Sequence, residues 1–576
     1  MNALLRVADL PGSDQNFAQV MIDWGVLPAL GNGSDTRISR SQYERLCLLI
    51  NDQESKDSVH LGFQLFPSEH ELFLACETGL LRQSEFQKSS VGASILLQLL
   101  PHLLTKCCNI NGKSTLGYVD LPGSDVQVVS RNLNLLRLLD QQHEKFHTNV
   151  ENRAAFFARS ASYMGSKASL APALIEILDT FCSGDAVVVD LMCGSGAASN
   201  AFSRSRKVYA SDAQLFSQYL AVVQAGGMTF EHAGRVASFV THRSLEYYSK
   251  LPSEVYDAID KEEYYLTTEL SEQDKKSFIE WASEYKRVGE KALPASYNES
   301  SEFPGNLFIN YYANLFFGVR QAAEIDCIRK SIDALSDPND RAWALGALIC
   351  AVSACADNYG GHFAQPKFDI TQPLRVAASL KNTLFKRSLS ITHEFEARLL
   401  NLARESESFS NSVDVIPGPW KKAVESISSM SPDVPVVVYI DPPYTREEYS
   451  RYYHVLETLV RYDYPKVSGK SSAPIKGSAG RFASEFFTRN SESAEKIISE
   501  IICSCLRRGW DCIWSYSSSG LAYIPNVIAR CEAFCEAVEF FRADYAYKGQ
   551  GKQRAKSVDE YVVVFKKKSH LSQSSV

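Results

Sequence analysis

The sequence predicts an α/β protein with a doubly wound, mostly parallel sheet, and three stretches carry that prediction. Ala186-Val187-Val188-Val189-Asp190-Leu191 and Val436-Val437-Val438-Tyr439-Ile440 are apolar, largely β-branched runs of the length expected of fully buried strands. The first runs into Met192-Cys193-Gly194-Ser195-Gly196-Ala197-Ala198, a glycine turn that opens a helix. A further strand, Lys207 to Asp212, and a helix from about Leu215 to Ala225 follow. The order β-loop-α-β-α is how a doubly wound sheet begins.

With 576 residues the chain exceeds a single core, and three or four domain-sized units are expected. The net charge of −7 offers no global attraction to a polyanion, so a nucleic-acid surface has to be a local basic patch. The first residues hold no long apolar run, and the uncharged stretches Ser89 to Thr105 and Cys512 to Ala529 are broken by proline and polar residues. Neither a secretion signal nor a membrane span is expected. The 14 cysteines are scattered without C-x-x-C pairs, which points to reduced thiols in a cytoplasm rather than a zinc ribbon or disulfide framework.

Residues 1–155 mix helical patterns with short strands and read as an N-terminal α+β domain without recognisable chemistry. Ile95 to Leu104 reads as a buried helix kinked or ended near Pro101, and the turn-forming Asp-Leu-Pro-Gly-Ser-Asp occurs at Asp9–Asp14 and Asp120–Asp125. His143-Glu144-Lys145-Phe146-His147 matches the H-E-x-x-H zinc pattern formally, but its polar flanks read as a solvated helix end, and no metal is expected. Residues 156–240 carry the first part of the sheet. Residues 241–430 interrupt it: acidic and irregular to about Ser301, then helical over Tyr311 to Leu335, Arg341 to Ala356 and Ile391 to Arg404. An insertion of that length reads as its own, largely helical lobe. Residues 431–566 resume the sheet, with a Lys/Gly/Ser/Pro-rich loop at 466–480, a helix at Ala494 to Leu506, a strand at Asp511 to Tyr516 and a terminal hairpin around 548–556. Residues 567–576 read as a flexible tail.

The second apolar run ends in Asp441-Pro442-Pro443-Tyr444. Two prolines cannot continue a ladder or enter a helix interior, so a carboxylate and an aromatic face are held rigid where the strand stops. In open α/β sheets, ligands bind at such carboxyl ends, and this pair suits a flat, amine-bearing substrate. The glycine turn lets the backbone approach a ligand closely. Asp212 follows Asp190 by 22 residues (212 − 190), a separation suited to the two hydroxyls of a ribose. The third glycine of a dinucleotide fingerprint is replaced by Ser199, and no P-loop lysine is present. A nucleoside without a pyrophosphate fits best, and S-adenosyl-L-methionine is the common cofactor of that type.

Tyr163-x-Gly165-Ser166-Lys167, then Asp190-Leu191-Met192-Cys193-Gly194-Ser195-Gly196, a long insertion, and Asp441-Pro442-Pro443-Tyr444 together resemble the Dam-like, alpha-class DNA adenine-N6 methyltransferases. The likeness continues from Asp441 through Arg446 and Tyr449 to His454-x-Leu456-Glu457, and into Ala322 to His362. It covers roughly 156–240 and 305–566. The resemblance implies a Rossmann-like methyltransferase sheet with a target-recognition lobe inserted in it. It also implies S-adenosylmethionine as methyl donor, double-stranded DNA as partner, base flipping, and a bacterial cytoplasmic role in restriction-modification or phage defence. By the same resemblance, Tyr163 and Lys167 lie near the methionine end of the cofactor. Asp190, Met192, Gly194 and Gly196 form its turn, with Met192 where the family usually has Phe, and Asp212 binds the ribose. Asp441 and the Pro442 carbonyl, with Pro443 fixing the turn, accept hydrogen bonds from the target amine, and Tyr444 stacks on the flipped base. Tyr449 and the basic residues Arg446, Lys470, Lys476, Arg481, Lys552, Arg554 and Lys556 are the candidate DNA contacts. Residues 1–155 are a candidate surface for further subunits. Cytosine-N4 methylation and a non-catalytic DNA-binding subunit remain as alternatives.

Overall fold

The computed structural model describes residues 3–23, 27, 29–31, 33–40, 43–44, 163, 165–168, 170–292, 306–367, 373–416, 418–444, 448–468, 471–547 and 556–568. Its centre is a seven-stranded sheet of β1 (Val187–Asp190), β2 (Val208–Ala210), β3 (Val413–Val415), β4 (Val436–Ile440), β5 (Asp511–Ser517), β6 (Cys535–Tyr547) and β7 (Lys556–Lys567), in the order β3-β2-β1-β4-β5-β7-β6. β1 to β5 pair in parallel, and β7 runs antiparallel to both β5 and β6. From β1 the chain winds outward to β2 and β3 on one side and to β4 and β5 on the other. The ends of β1 and β4 therefore flank the switch point at which such sheets bind ligands. In register Asp190 sits opposite Tyr439, so Asp441 lies just beyond the end of β1.

Successive strand residues face opposite sides of the sheet, and both sides are covered. Val436, Val438, Ile440, Trp514, Tyr516, Val563 and Phe565 pack beneath α12 (Trp420–Met430), α15 (Ser491–Leu506) and α16 (Ile524–Cys531). Val437, Tyr439, Ile513, Val562 and Val564 face α1 (Ala171–Phe181) and α2 (Ala197–Ser203). This double burial is why the β1 and β4 runs are apolar throughout rather than alternating.

After α3 (Leu215–Val222), the segment between β2 and β3 holds α4 (Phe230–Tyr248), α5 (Ser253–Thr267), α6 (Glu272–Ala292), α7 (Leu307–Tyr311), α8 (Val319–Asp333), α9 (Pro338–Cys355), α10 (Pro373–Ser388) and α11 (Ile391–Ser406). A two-stranded turn, Asn358–Tyr359 with His362–Pro366, lies between α9 and α10. The helices α13 (Tyr449–Tyr452) and α14 (His454–Arg461) follow β4 and share the apolar core of this segment through Leu456, Leu459 and Val460.

Three sequence expectations need correction. The acidic stretch before Ser301 is helical over α5 and α6, and its buried carboxylate Glu262 is paired. Glu262 of α5 meets Arg387 of α10 at 3.2 Å and accepts the Arg320 backbone N–H at 3.1 Å. The insertion also ends earlier than residue 430. β3 pairs with β2 at the sheet edge, and α12 packs on the sheet, so residues 413–430 belong to the core. Finally, the described residues among the first forty are not separate from that core. Leu4–Arg6 and Arg37–Ser39 form a small ladder beside a helix, Gly12–Asp23. Leu4 and Leu30 join the core under α16, and the Ser39 hydroxyl donates to the Val538 carbonyl of β6 at 2.6 Å. The H-E-x-x-H match, Ile95 to Leu104 and the second Asp-Leu-Pro-Gly-Ser-Asp lie outside the described residues. Among the described residues no helix is long and apolar enough to cross a membrane.

Candidate active site

A cavity of about 670 Å³ opens at the carboxyl ends of β1, β2 and β4. Its wall is made by Tyr163, Lys167, Leu191 to Ser195, Asp212 to Leu215, Gly418 to Lys421, Asp441 to Tyr444, Tyr449, and residues between Lys476 and Phe487.

The glycine turn is fixed by sterics. Gly194 and Gly196 have φ of 49° and 78°, the left-handed region. A Cβ on Gly196 would stand 2.7 Å from Ala221 Cα of α3, and one on Gly194 would stand 2.9 Å from Tyr163 Cε1. The turn is thus clamped between α3 and the Tyr163 ring, which itself stacks on Tyr453 at 4.8 Å. Asp190 is fully buried and accepts the Ser199 hydroxyl at 2.6 Å. Burial pushes its pKa up to about 7, against the lowering effect of Ser199. Asp190 and Gly196 stand behind the cavity wall and shape it, whereas Met192 and Gly194 line it.

Asp212 joins the turn to the next loop. Its carboxylate accepts the Gly194 N–H at 3.0 Å and the Gln214 N–H at 2.8 Å. Burial raises its pKa to about 6, with these backbone donors working the other way. The His454-x-Leu456-Glu457 pattern has a structural explanation beside it. Glu457, buried in α14, accepts the Phe216 N–H at 3.3 Å and so caps the first turn of α3, just after Asp212. The His454 ring nitrogens lie 2.8 Å from the Arg451 carbonyl oxygen and 3.0 Å from that of Ser471, joining the α13–α14 corner to the loop that walls the cavity.

At the end of β4, Asp441 Oδ1 lies 2.9 Å from the Lys167 ammonium and 3.0 Å from the Tyr444 hydroxyl oxygen. Glu560 of β7 shares both. Its Oε1 accepts from the Tyr444 hydroxyl and lies 3.6 Å from Lys167 Nζ. Burial raises the pKa of Asp441 and of Glu560, and Lys167 opposes the rise in each. Burial acts to lower the Lys167 pKa, but the two carboxylates outweigh it and hold the amine above its ordinary value.

The sequence-predicted residues sort differently in space. Lys167 is bound to Asp441, and its ammonium stands 4.6 Å from the Tyr444 ring centroid. Tyr444 meets Tyr516 edge-on and commits its hydroxyl to the two carboxylates. Tyr449 lines the cavity 6.0 Å from Tyr163 rather than standing on the outer surface. Arg481 is engaged by Glu448 at 2.8 and 3.1 Å and braces the wall. Lys476 stands at the rim over the Phe487 ring at 4.7 Å. Lys556 opens β7, opposite Tyr547. Arg446, Lys470, Lys552 and Arg554 lie outside the described residues.

Two parts of the site escaped the sequence. Glu560 is one, and its only signal is a carboxylate at the head of the apolar run Tyr561-Val562-Val563-Val564-Phe565. The other is the wall formed by Gly418 to Lys421 with Phe482 to Phe487, where the Trp420 indole N–H donates to Glu485 at 2.6 Å. Neither segment has a local pattern that marks it.

Residues 422–504 match the family model described as D12 class N6 adenine-specific DNA methyltransferase. The match takes in β4, Asp441 to Tyr444, α13, α14 and most of α15. The chain is 23% identical to the type II methyltransferase M.FokI of Planomicrobium okeanokoites over 431 residues, 72% of this chain and 53% of that protein. It is 26% identical to modification methylase LlaI of Lactococcus lactis subsp. lactis over 148 residues, 24% of this chain and 22% of that one. Modification methylase StsI of Streptococcus sanguinis is 23% identical over 313 residues, 53% of this chain and 37% of that protein. The chain thus spans about half the length of M.FokI and less of the other two.

Proposed function

We infer that this chain, which carries a D12 class N6 adenine-specific DNA methyltransferase domain, transfers a methyl group from S-adenosylmethionine to the N6 amine of an adenine in a specific double-stranded DNA sequence. The observation that carries this reading is that the half-buried carboxylate Asp441 and the glycine turn open into one cavity at the sheet's switch point. That juxtaposition brings a nucleoside-sized cofactor and a flat amine within reach of each other.

The residues fit the cofactor. Any side chain at Gly194 or Gly196 would collide, so the turn keeps a bare backbone, and Gly194 and Met192 line the cavity beside Asp212. Asp212 retains acceptor capacity for ribose hydroxyls. When bound, S-adenosylmethionine supplies an electrophilic methyl group. An adenine N6 lone pair is delocalised into the ring, so the amine needs acceptors on its hydrogens to become pyramidal and attack in line. Asp441 and the Pro442 carbonyl supply them by position and electrostatics, with no covalent intermediate on the protein. The base has to leave the duplex to reach this depth, and the Tyr444 ring offers a stacking face.

In the same reading the helical segment before β3 is the target-recognition lobe, Lys476 contacts phosphate, and residues 1–155 serve DNA or a further subunit. The relatives' names, a type II methyltransferase and two modification methylases, support a role in restriction-modification. The test is modification-calling sequencing of DNA from a methylation-free host that expresses the chain. One motif carrying N6-methyladenine is the expected result. N4-methylcytosine, or no modification by a protein that binds S-adenosylmethionine in calorimetry, would overturn it.

A further inference from the structure

Glu560 stands on β7, two strands away from Asp441, with β5 between them, yet its carboxylate closes on the same two donors. Its side chain is buried, as is that of Lys167. A phenol carries a single O–H and cannot donate to both Asp441 and Glu560 at once. An ammonium lying between two carboxylates likewise divides its charge between them. Were Lys167 paired with Asp441 alone, the two would form a neutral couple. Asp441 would then offer little negative field to a nitrogen that becomes cationic as it accepts a methyl group.

We propose that Glu560 is a positioning residue for methyl transfer: by holding the Tyr444 hydroxyl and sharing the Lys167 ammonium, it frees the Asp441 carboxylate for the target amine. This rests on the reading of the chain as an amine methyltransferase and names a member of that same site. Glu560 acts through its neighbours and does not touch the substrate. Tyr444 and Lys167 meet Asp441 Oδ1, and with Glu560 fixing both donors, Oδ2 is left to accept from the amine. The titratable groups facing Glu560 are Lys167, Asp441 and Tyr444, with Tyr439 of β4 further off.

The test is a double-mutant cycle on the full chain with DNA carrying its methylation motif, using Glu560→Gln, which keeps shape and removes charge, and Tyr444→Phe, which keeps the ring and removes the shared hydroxyl. Glu560→Gln should lower kcat on the order of 10²-fold, as expected of a misplaced reacting group. KM for DNA and for S-adenosylmethionine, and the melting temperature, should stay near wild type. The acid limb of its kcat–pH profile should move to lower pH, because Lys167 then acts on Asp441 alone. Glu560→Asp should restore part of the rate. The double variant should be little slower than the slower single variant. Strictly additive losses, a rise in KM with unchanged kcat, or wild-type turnover by Glu560→Gln would overturn the inference while leaving the methyltransferase reading intact. An unmodified motif after incubation with the wild-type protein would instead overturn that reading, and this inference with it.

Discussion

β1 and β4 are neighbours in the sheet, and each ends in a carboxylate followed by a conformationally restricted turn, yet the two carboxylates have opposite fates. Asp190 is sealed beneath its turn and bonded to Ser199, and takes no part in the cavity wall. Asp441 lies two residues further along in register, faces the cavity and meets Lys167 and Tyr444. One acid ties the turn to the helix that follows it, and the other stands in the cavity wall. The turns differ in the same sense. Glycines let the backbone fold under α3 and come close to a ligand, whereas prolines stop the chain and leave a side chain standing in the cavity. An acid at the end of a strand is therefore no evidence of catalysis until its depth relative to the sheet edge is known.

Substitutions at the two strand ends sharpen this contrast. Asp441→Ala should lower kcat by on the order of 10²–10³-fold, with S-adenosylmethionine affinity near wild type by calorimetry. Wild-type turnover would remove Asp441 from the reaction. Gly196→Ala should act through the fold instead. Its Cβ meets the backbone of α3, so a loss of roughly 1–3 kcal/mol in a denaturant titration is expected, together with weakened cofactor binding.

Asp190→Asn separates the two acids by pH. Asp190 has its folded pKa raised to about 7, so the native state holds this proton more tightly than the unfolded chain does. The stability that this protonation contributes is greatest below about pH 4 and declines as pH rises toward 7, by on the order of 1 kcal/mol per unit. The amide does not ionise, so the melting temperature of Asp190→Asn relative to wild type should climb across that window. A flat difference would mean that Asp190 is solvated in the native state. The smallest effect is expected at the rim. Lys476→Ala should reduce the slope of log binding constant against log salt for duplex DNA by about 0.9. Arg481→Ala should leave that slope unchanged, because its charge is already spent on Glu448.

The relatives' names and the family match agree with what Asp441-Pro442-Pro443-Tyr444 and the glycine turn imply, and the seven-stranded sheet carries both at adjacent strand ends. The insertion was less legible. Residues 253–292 look irregular because their acidic side chains lack visible partners in the sequence, and Glu262 finds Arg387 only across 125 positions. β3 is three residues long and follows a polar stretch, so its place beside β2 has no local signal.

Local chemistry along the chain is enough to specify several of these features. β-branched runs dictate buried strands, glycines dictate a left-handed turn, and Pro442-Pro443 dictates where β4 stops. Each of these follows from sterics within a few residues. Which acid faces the cavity, the pairing of Arg481, and the place of Glu560 beside Lys167 and Tyr444 emerge from long-range packing instead. The first and last depend on strand order and on the depth of each strand end, set by packing between segments more than a hundred residues apart, and the Arg481 pair spans 33 residues of loop and helix.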